Sequence, residues 1–103
     1  MEFSGFDWDE GNRTKCRKHG LSIAVIESLF REGLAILPDE AHSQKERRFK
    51  AVGRTKEGRY VFVVFTLRGG EDNLLIRPVS ARYMHAKEGR AYEKENPSLQ
   101  KRS

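Results

Sequence analysis

Four side chains near the end of the chain, Arg82, His85, Glu88 and Tyr92, fall three or four residues apart. If a helix begins near Arg82, that spacing lines them along one stripe. Acid–base chemistry at a phosphate ester needs a base, a cation beside the oxygens on which charge develops, and an acid for the leaving oxygen. An imidazole, a guanidinium and a carboxyl group on one stripe supply those functions. The same spacing suits a solvated helix face on which Glu88 pairs with neighbouring cations, and spacing alone favours that solvated face.

A second group of cations surrounds Lys56-Glu57-Gly58. Arg54 and Arg59 flank this turn, and Arg47, Arg48, Lys50 and Lys56 lie along the same predicted hairpin. Guanidinium groups stay charged and grip phosphate in a fork, so this hairpin is the best phosphate-binding candidate in the sequence. Long cations also keep an exposed strand soluble and unpaired. Arg54 and Arg82 are stronger candidates than the lysines for that reason.

Other chemistry-bearing residues read as structure. Lys18-His19-Gly20 has the cations and the glycine that a helix C-terminus favours. His42 stands alone in a polar stretch. Cys16 has no second cysteine or clustered histidine to give it metal-ligand spacing and is expected to pack as a small hydrophobe, so neither a metal nor a cofactor is expected. Trp8 and Tyr60 are of a type that stacks on bases, yet a core or partner interface suits them better. No phosphate-cradling glycine motif or nucleophilic serine elbow is present, which excludes nucleotide hydrolase and protease readings.

The elements that must carry these residues follow from the apolar pattern. Phe3, Phe6 and Trp8 suit a short strand or an extended arm. Asp9 is a cap for a short basic helix over 12–18, closed by Gly20. Ser22 caps a second helix through Ile23, Ile26, Leu29 and Phe30, stopped by Gly33. Leu34 to Leu37 reads as a buried strand ended by Pro38, and 39–45 as a polar loop. Three strands are predicted over 48–55, 59–67 and 74–82, joined by connections short enough for an antiparallel meander. Tyr60 to Phe65 is apolar at every position, which predicts a central strand with both faces covered and helices on one of them. Pro78 cannot donate to a ladder, so the third strand is expected at an edge or bulged there. A last helix is expected from Tyr83 to Glu95, weakened by Gly89 and stopped by Asn96-Pro97. The fold class is α+β: two N-terminal helices and a C-terminal helix packed on an antiparallel β-sheet.

At 103 residues, with 37% hydrophobic and 34% charged residues, the chain suits one small domain with a charged surface. It is expected over 1–97, with 98–103 a flexible tail. Twenty Lys and Arg against 15 Asp and Glu give a formal net charge of +5, which predicts an acidic partner without choosing among RNA, DNA and protein. The single cysteine, the lack of a signal-peptide pattern and the absence of a long apolar run predict a cytoplasmic location and no membrane partner.

Three segments carry a family resemblance. Phe6-Asp7-Trp8-Asp9-Glu10-Gly11-Asn12-Arg13, then Lys15-Cys16 and Lys18-His19-Gly20-Leu21-Ser22, resembles the opening of the BrnT toxins of bacterial type II toxin–antitoxin pairs. Ala51 to Thr55 followed by Gly58 to Thr66 is similar to that family's central hairpin. Ile76-Arg77-Pro78-Val79-Ser80-Ala81-Arg82-Tyr83-Met84 resembles its closing strand and the start of its last helix. The resemblance implies a RelE-like fold and a metal-independent endoribonuclease that halts translation. It further implies a BrnA-like ribbon-helix-helix antitoxin, a heterotetramer with that partner, and DNA binding only through the complex.

Overall fold

The computed structural model describes residues 2–38 and 46–95. His42 and the tail over 98–103 lie outside the described residues. The elements run β1 (Gly5–Phe6), α1 (Glu10–Arg17), α2 (Ile23–Glu32), β2 (Ala35–Pro38), β3 (Arg48–Arg54), β4 (Tyr60–Arg68), β5 (Leu75–Tyr83) and α3 (Ala86–Glu95).

Local chemistry sets both early helices. Asp9 accepts from the Asn12 backbone N–H at 2.9 Å, and the Asn12 side-chain oxygen accepts from the Asp9 N–H at 2.7 Å, so two donors at the start of α1 are satisfied reciprocally. Ser22 Oγ accepts from Val25 N–H at 3.1 Å at the start of α2. Gly33 ends α2 with φ 112°, a conformation that side chains beyond glycine rarely adopt.

The strands form one sheet in the order β1-β5-β4-β3-β2, with β4 central as its apolar run predicts. Alternation along β4 divides the core in two. Val61, Val63 and Phe65 join Cys16, Leu21, Ile26, Leu29 and Phe30 from the α1–α2 side. Tyr60 and Phe62 point to the other face and cluster with Ala35, Val52, Met84 and Tyr92. Fully burying an aliphatic or phenyl side chain stabilises by about 1.5–3 kcal/mol, so the larger cluster dominates the fold's stability. A relay of ring contacts joins Phe3, Phe6, Phe30, Phe65 and Phe49 through that cluster.

Three expectations need correction. The sheet is mixed rather than antiparallel, because β1 pairs parallel with β5 through Gly5 opposite Leu75 and Phe6 opposite Ile76. The helices do not share one face: α1 and α2 cover the Val61 side, whereas α3 packs against Tyr60 on the reverse. A strand apolar at every position must bury both faces, and α3 supplies the second cover at one end of it. Thirdly, the last helix begins at Ala86, since β5 continues to Tyr83 and Met84 N–H still donates to Tyr60 C=O at 3.0 Å. Pro78 lies in an interior strand, beyond the two residues of β5 that β1 covers, and the ladder to β4 shifts register there between Val64 and Phe65.

Candidate functional site

The β5–α3 junction brings several reactive side chains together. Arg82 stands opposite Phe62 across the β4–β5 ladder, with its guanidinium carbon 4.9 Å from the Phe62 ring centroid. Its Nη1 and Nη2 donate to the two carboxylate oxygens of Glu88, each at 3.1 Å, in a planar fork. Glu88 occupies the first turn of α3, where a negative charge also meets the positive end of the helix dipole. Hydrogen bonding from Arg82, then its charge, the nearby His85 and the His85 backbone N–H hold the Glu88 carboxyl below its usual range against a desolvation effect. Arg82 is correspondingly raised, first by its hydrogen bonds to Glu88. The two side chains are 42% and 38% exposed, so water screens the pair and a phosphate can reach it.

His85 is exposed and immediately precedes α3; its C=O accepts from Gly89 N–H at 2.9 Å. Tyr92 is half-buried against the Tyr60–Met84 cluster and lies near Arg82. The four residues Arg82, His85, Glu88 and Tyr92 therefore do gather, but not as one helical stripe. Arg82 reaches α3 from the strand.

A second guanidinium meets the same helix further along. Arg54, ending β3, pairs with Tyr60 in the ladder and stacks 5.0 Å above its ring. Arg54 Nη1 donates to Glu93 at 3.4 and 3.5 Å, and the Tyr60 hydroxyl donates to Glu93 as well. That hydrogen bond, followed by burial, raises the Tyr60 phenol above its ordinary value and keeps it a donor. Gly89 is buried on the Tyr60 ring, with no room for a Cβ.

The hairpin cations divide between the two faces of the sheet. Lys50 and Arg48 alternate in register with Arg54 and share its face, opposite Val64 and Thr66. Arg59 instead lies 3.5 Å from the ring centroid of Tyr83, which packs on the α1–α2 core. Arg47 stacks at 5.6 Å on Phe49, also of that core, and Lys56 lies beside Ala24, Val25 and Ser28 of α2. Arg47, Arg59 and Lys56 thus stand apart from Arg82.

The remaining candidates are structural. Lys18 caps α1 and Gly20 takes φ 89°. Cys16 is fully buried, and burial pushes its thiol up to about 11. Trp8 donates from its indole to Glu27 at 2.9 Å. Among the described residues no three His, Cys, Asp or Glu side chains cluster as metal ligands. No helix among them is long and apolar enough to cross a membrane.

The sequence pattern places Phe62 and Asn12 in a strand and a helix without marking them or Glu93 as functional, and it presents Gly89 as a helix weakener. A glycine inside a helical pattern also signals close packing, and Asp9 three residues before Asn12 has the spacing of a reciprocal cap. Glu93 gives no such signal, because its partners come from two separate strands.

A family model described as the ribonuclease toxin BrnT of type II toxin–antitoxin systems matches residues 8–88. The matched span contains Arg54, Arg82, His85 and Glu88 and ends before Tyr92 and Glu93. Among curated proteins, none matches the chain.

Proposed function

The chain belongs to the BrnT family of ribonuclease toxins of type II toxin–antitoxin systems, and on that footing we propose that it is an endoribonuclease that cleaves RNA without a divalent metal and so inhibits translation. The observation that carries this reading is the forked Arg82–Glu88 pair at a solvent-accessible junction with His85 beside it.

In this mechanism the RNA 2′-oxygen attacks phosphorus, the bond to the 5′-oxygen breaks, and charge builds on the non-bridging oxygens. Arg82 stabilises that charge. Glu88, held ionised, orients the guanidinium, while His85 and Tyr92 stand where protons are taken and returned. Arg54 adds a second cation to that charge stabilisation, Arg48 and Lys50 on its face contact flanking phosphates, and Arg47, Arg59 and Lys56 add attraction from the other side. The domain spans 1–97 and functions in the cytoplasm. Its partner is a BrnA-like ribbon-helix-helix antitoxin, joined in a heterotetramer that alone binds DNA.

A second reading, a non-catalytic antitoxin-binding member, is favoured by one observation: Glu88 and Glu93 already neutralise Arg82 and Arg54. Incubating the purified protein with a synthetic oligoribonucleotide in excess EDTA separates the two. The ribonuclease reading expects fragments ending in a 2′,3′-cyclic phosphate and a 5′-hydroxyl, and protection by a 2′-deoxy sugar at the cleaved position. Cleavage only after divalent metal is restored overturns the metal-free mechanism, and intact RNA throughout favours the second reading.

A further inference from the structure

We propose that Glu93 is a positioning residue for Arg54, holding one edge of its guanidinium so that the other edge is presented to a phosphate. The inference rests on the reading of Arg54 as a phosphate contact. The Glu93 carboxylate accepts from both the Tyr60 hydroxyl and Arg54 Nη1, while the Tyr60 ring lies beneath the guanidinium. Arg54 is thus fixed from below by a ring and from one side by a carboxylate. Its Nη2 and Nε make no hydrogen bond to any described residue, which leaves a two-donor edge of the kind that grips a phosphate oxygen pair.

The contrast with Arg82 defines the role. Arg82 spends both Nη groups on Glu88, and both partners are about two-fifths exposed, so that pair exchanges readily with solvent or RNA. The Glu93 side chain is only 16% exposed and Tyr60 8%. Water competes less there, and a shielded carboxylate shared by a phenol and a guanidinium sets direction better than a solvated pair. Gly89 lets α3 approach the Tyr60 ring closely enough for Glu93 to reach both partners.

This role gives opposite signs to two effects that are otherwise confounded. Removing a negative charge beside an RNA site, by itself, tightens RNA binding. Releasing Arg54 from its fixed orientation slows the chemical step. The test is steady-state cleavage of an oligoribonucleotide by the full chain and by Glu93→Ala, Glu93→Gln, Arg54→Ala and the Arg54→Ala/Glu93→Ala double variant. The expected result for Glu93→Ala is a lower kcat, by up to about 100-fold, with KM unchanged or reduced. Glu93→Gln, which keeps an acceptor oxygen, restores part of kcat, and Glu93→Ala adds nothing once Arg54 is already alanine. Additive losses in the double variant, or a lower KM with kcat intact, would overturn the proposal.

A readout independent of cleavage distinguishes failure of this proposal from failure of the ribonuclease reading. The ¹⁵N side-chain signal of Arg54, titrated with inorganic phosphate, should be restricted and phosphate-responsive in the parent and lose both properties in Glu93→Ala. If the parent does not cleave RNA yet shows that difference, the ribonuclease reading fails and the positioning role stands. Identical Arg54 signals in parent and Glu93→Ala overturn the positioning role whether or not RNA is cut.

Discussion

Asn12 is buried at the start of α1, and its amide serves three elements at once. Its Nδ2 donates to the carbonyls of Asp7 and Pro78, at 3.0 and 2.8 Å, while its Oδ1 caps Asp9. Replacing it with alanine strands those groups away from water, so Asn12→Ala should cost about 2–3 kcal/mol in a urea unfolding titration. A loss below about 0.5 kcal/mol would show that the network does not hold the α1–β5 contact. Cys16, with its thiol pushed up to about 11, should resist iodoacetamide at pH 8 in the folded protein and react on unfolding; rapid alkylation of native protein would contradict its burial. Glu88 gives a pH prediction. Its folded carboxyl titrates below the unfolded value, so the unfolded state takes up the proton first as pH falls. The stabilisation is complete above the ordinary carboxylate range and disappears as pH drops through the lowered folded value. Glu88→Gln should therefore flatten the acid limb of a Tm-against-pH curve; an unchanged limb would deny the pairing with Arg82. At this scale residue types were legible: a guanidinium, an imidazole and a carboxylate stood close in sequence and meet in space. The geometry was not, because periodicity in a mixed polar segment does not mark where β5 hands over to α3.

Element boundaries and faces decide how those residues meet. The helix α3 rests on the sheet through Gly89, whose missing side chain admits the Tyr60 ring. Alanine is favoured over glycine inside an isolated helix by roughly 0.5–1 kcal/mol. Collision with a ring held in the ladder costs about 1–3 kcal/mol, so packing should win and Gly89→Ala should unfold at lower urea than the parent. A stabilised Gly89→Ala would mean that α3 does not press on Tyr60. The early helices were readable because Asp9, Ser22, Gly20 and Gly33 mark their ends with side-chain chemistry. Strand β4 was readable from its unbroken apolar run. The parallel β1 and the side taken by α3 were not: two residues carry too little pattern to set a strand direction, and β4 is apolar on both faces. The bulge at Pro78 was foreseeable from its missing N–H, whereas β5 is an interior strand only because β1 pairs with its first two residues.

Across the whole molecule, a mixed sheet with α1 and α2 on one face leaves the other to α3 and a row of cations. On the proposed reading, the formal charge of +5 acts as a sequence-independent attraction for RNA. Affinity for a single-stranded oligoribonucleotide should fall with added salt at a logarithmic slope of about −0.7 per phosphate contacted, and Lys50→Ala should make the slope shallower. The family resemblance in the sequence foresaw this class of protein more fully than composition, because charge alone does not separate RNA from an acidic protein. The proposed ribonuclease activity depends on Arg82 acting on a phosphate rather than merely bridging β5 to α3. Single-turnover cleavage by the parent and by Arg82→Ala in excess EDTA, with Tm measured on the same samples, tests that directly. Loss of a cation at a developing oxyanion costs about 10²- to 10³-fold in rate. A solvated ion pair contributes at most about 1 kcal/mol to stability. The expected result is a collapse in rate with Tm lowered by no more than about 4–8 °C; full activity in folded Arg82→Ala would contradict the role proposed for Arg82.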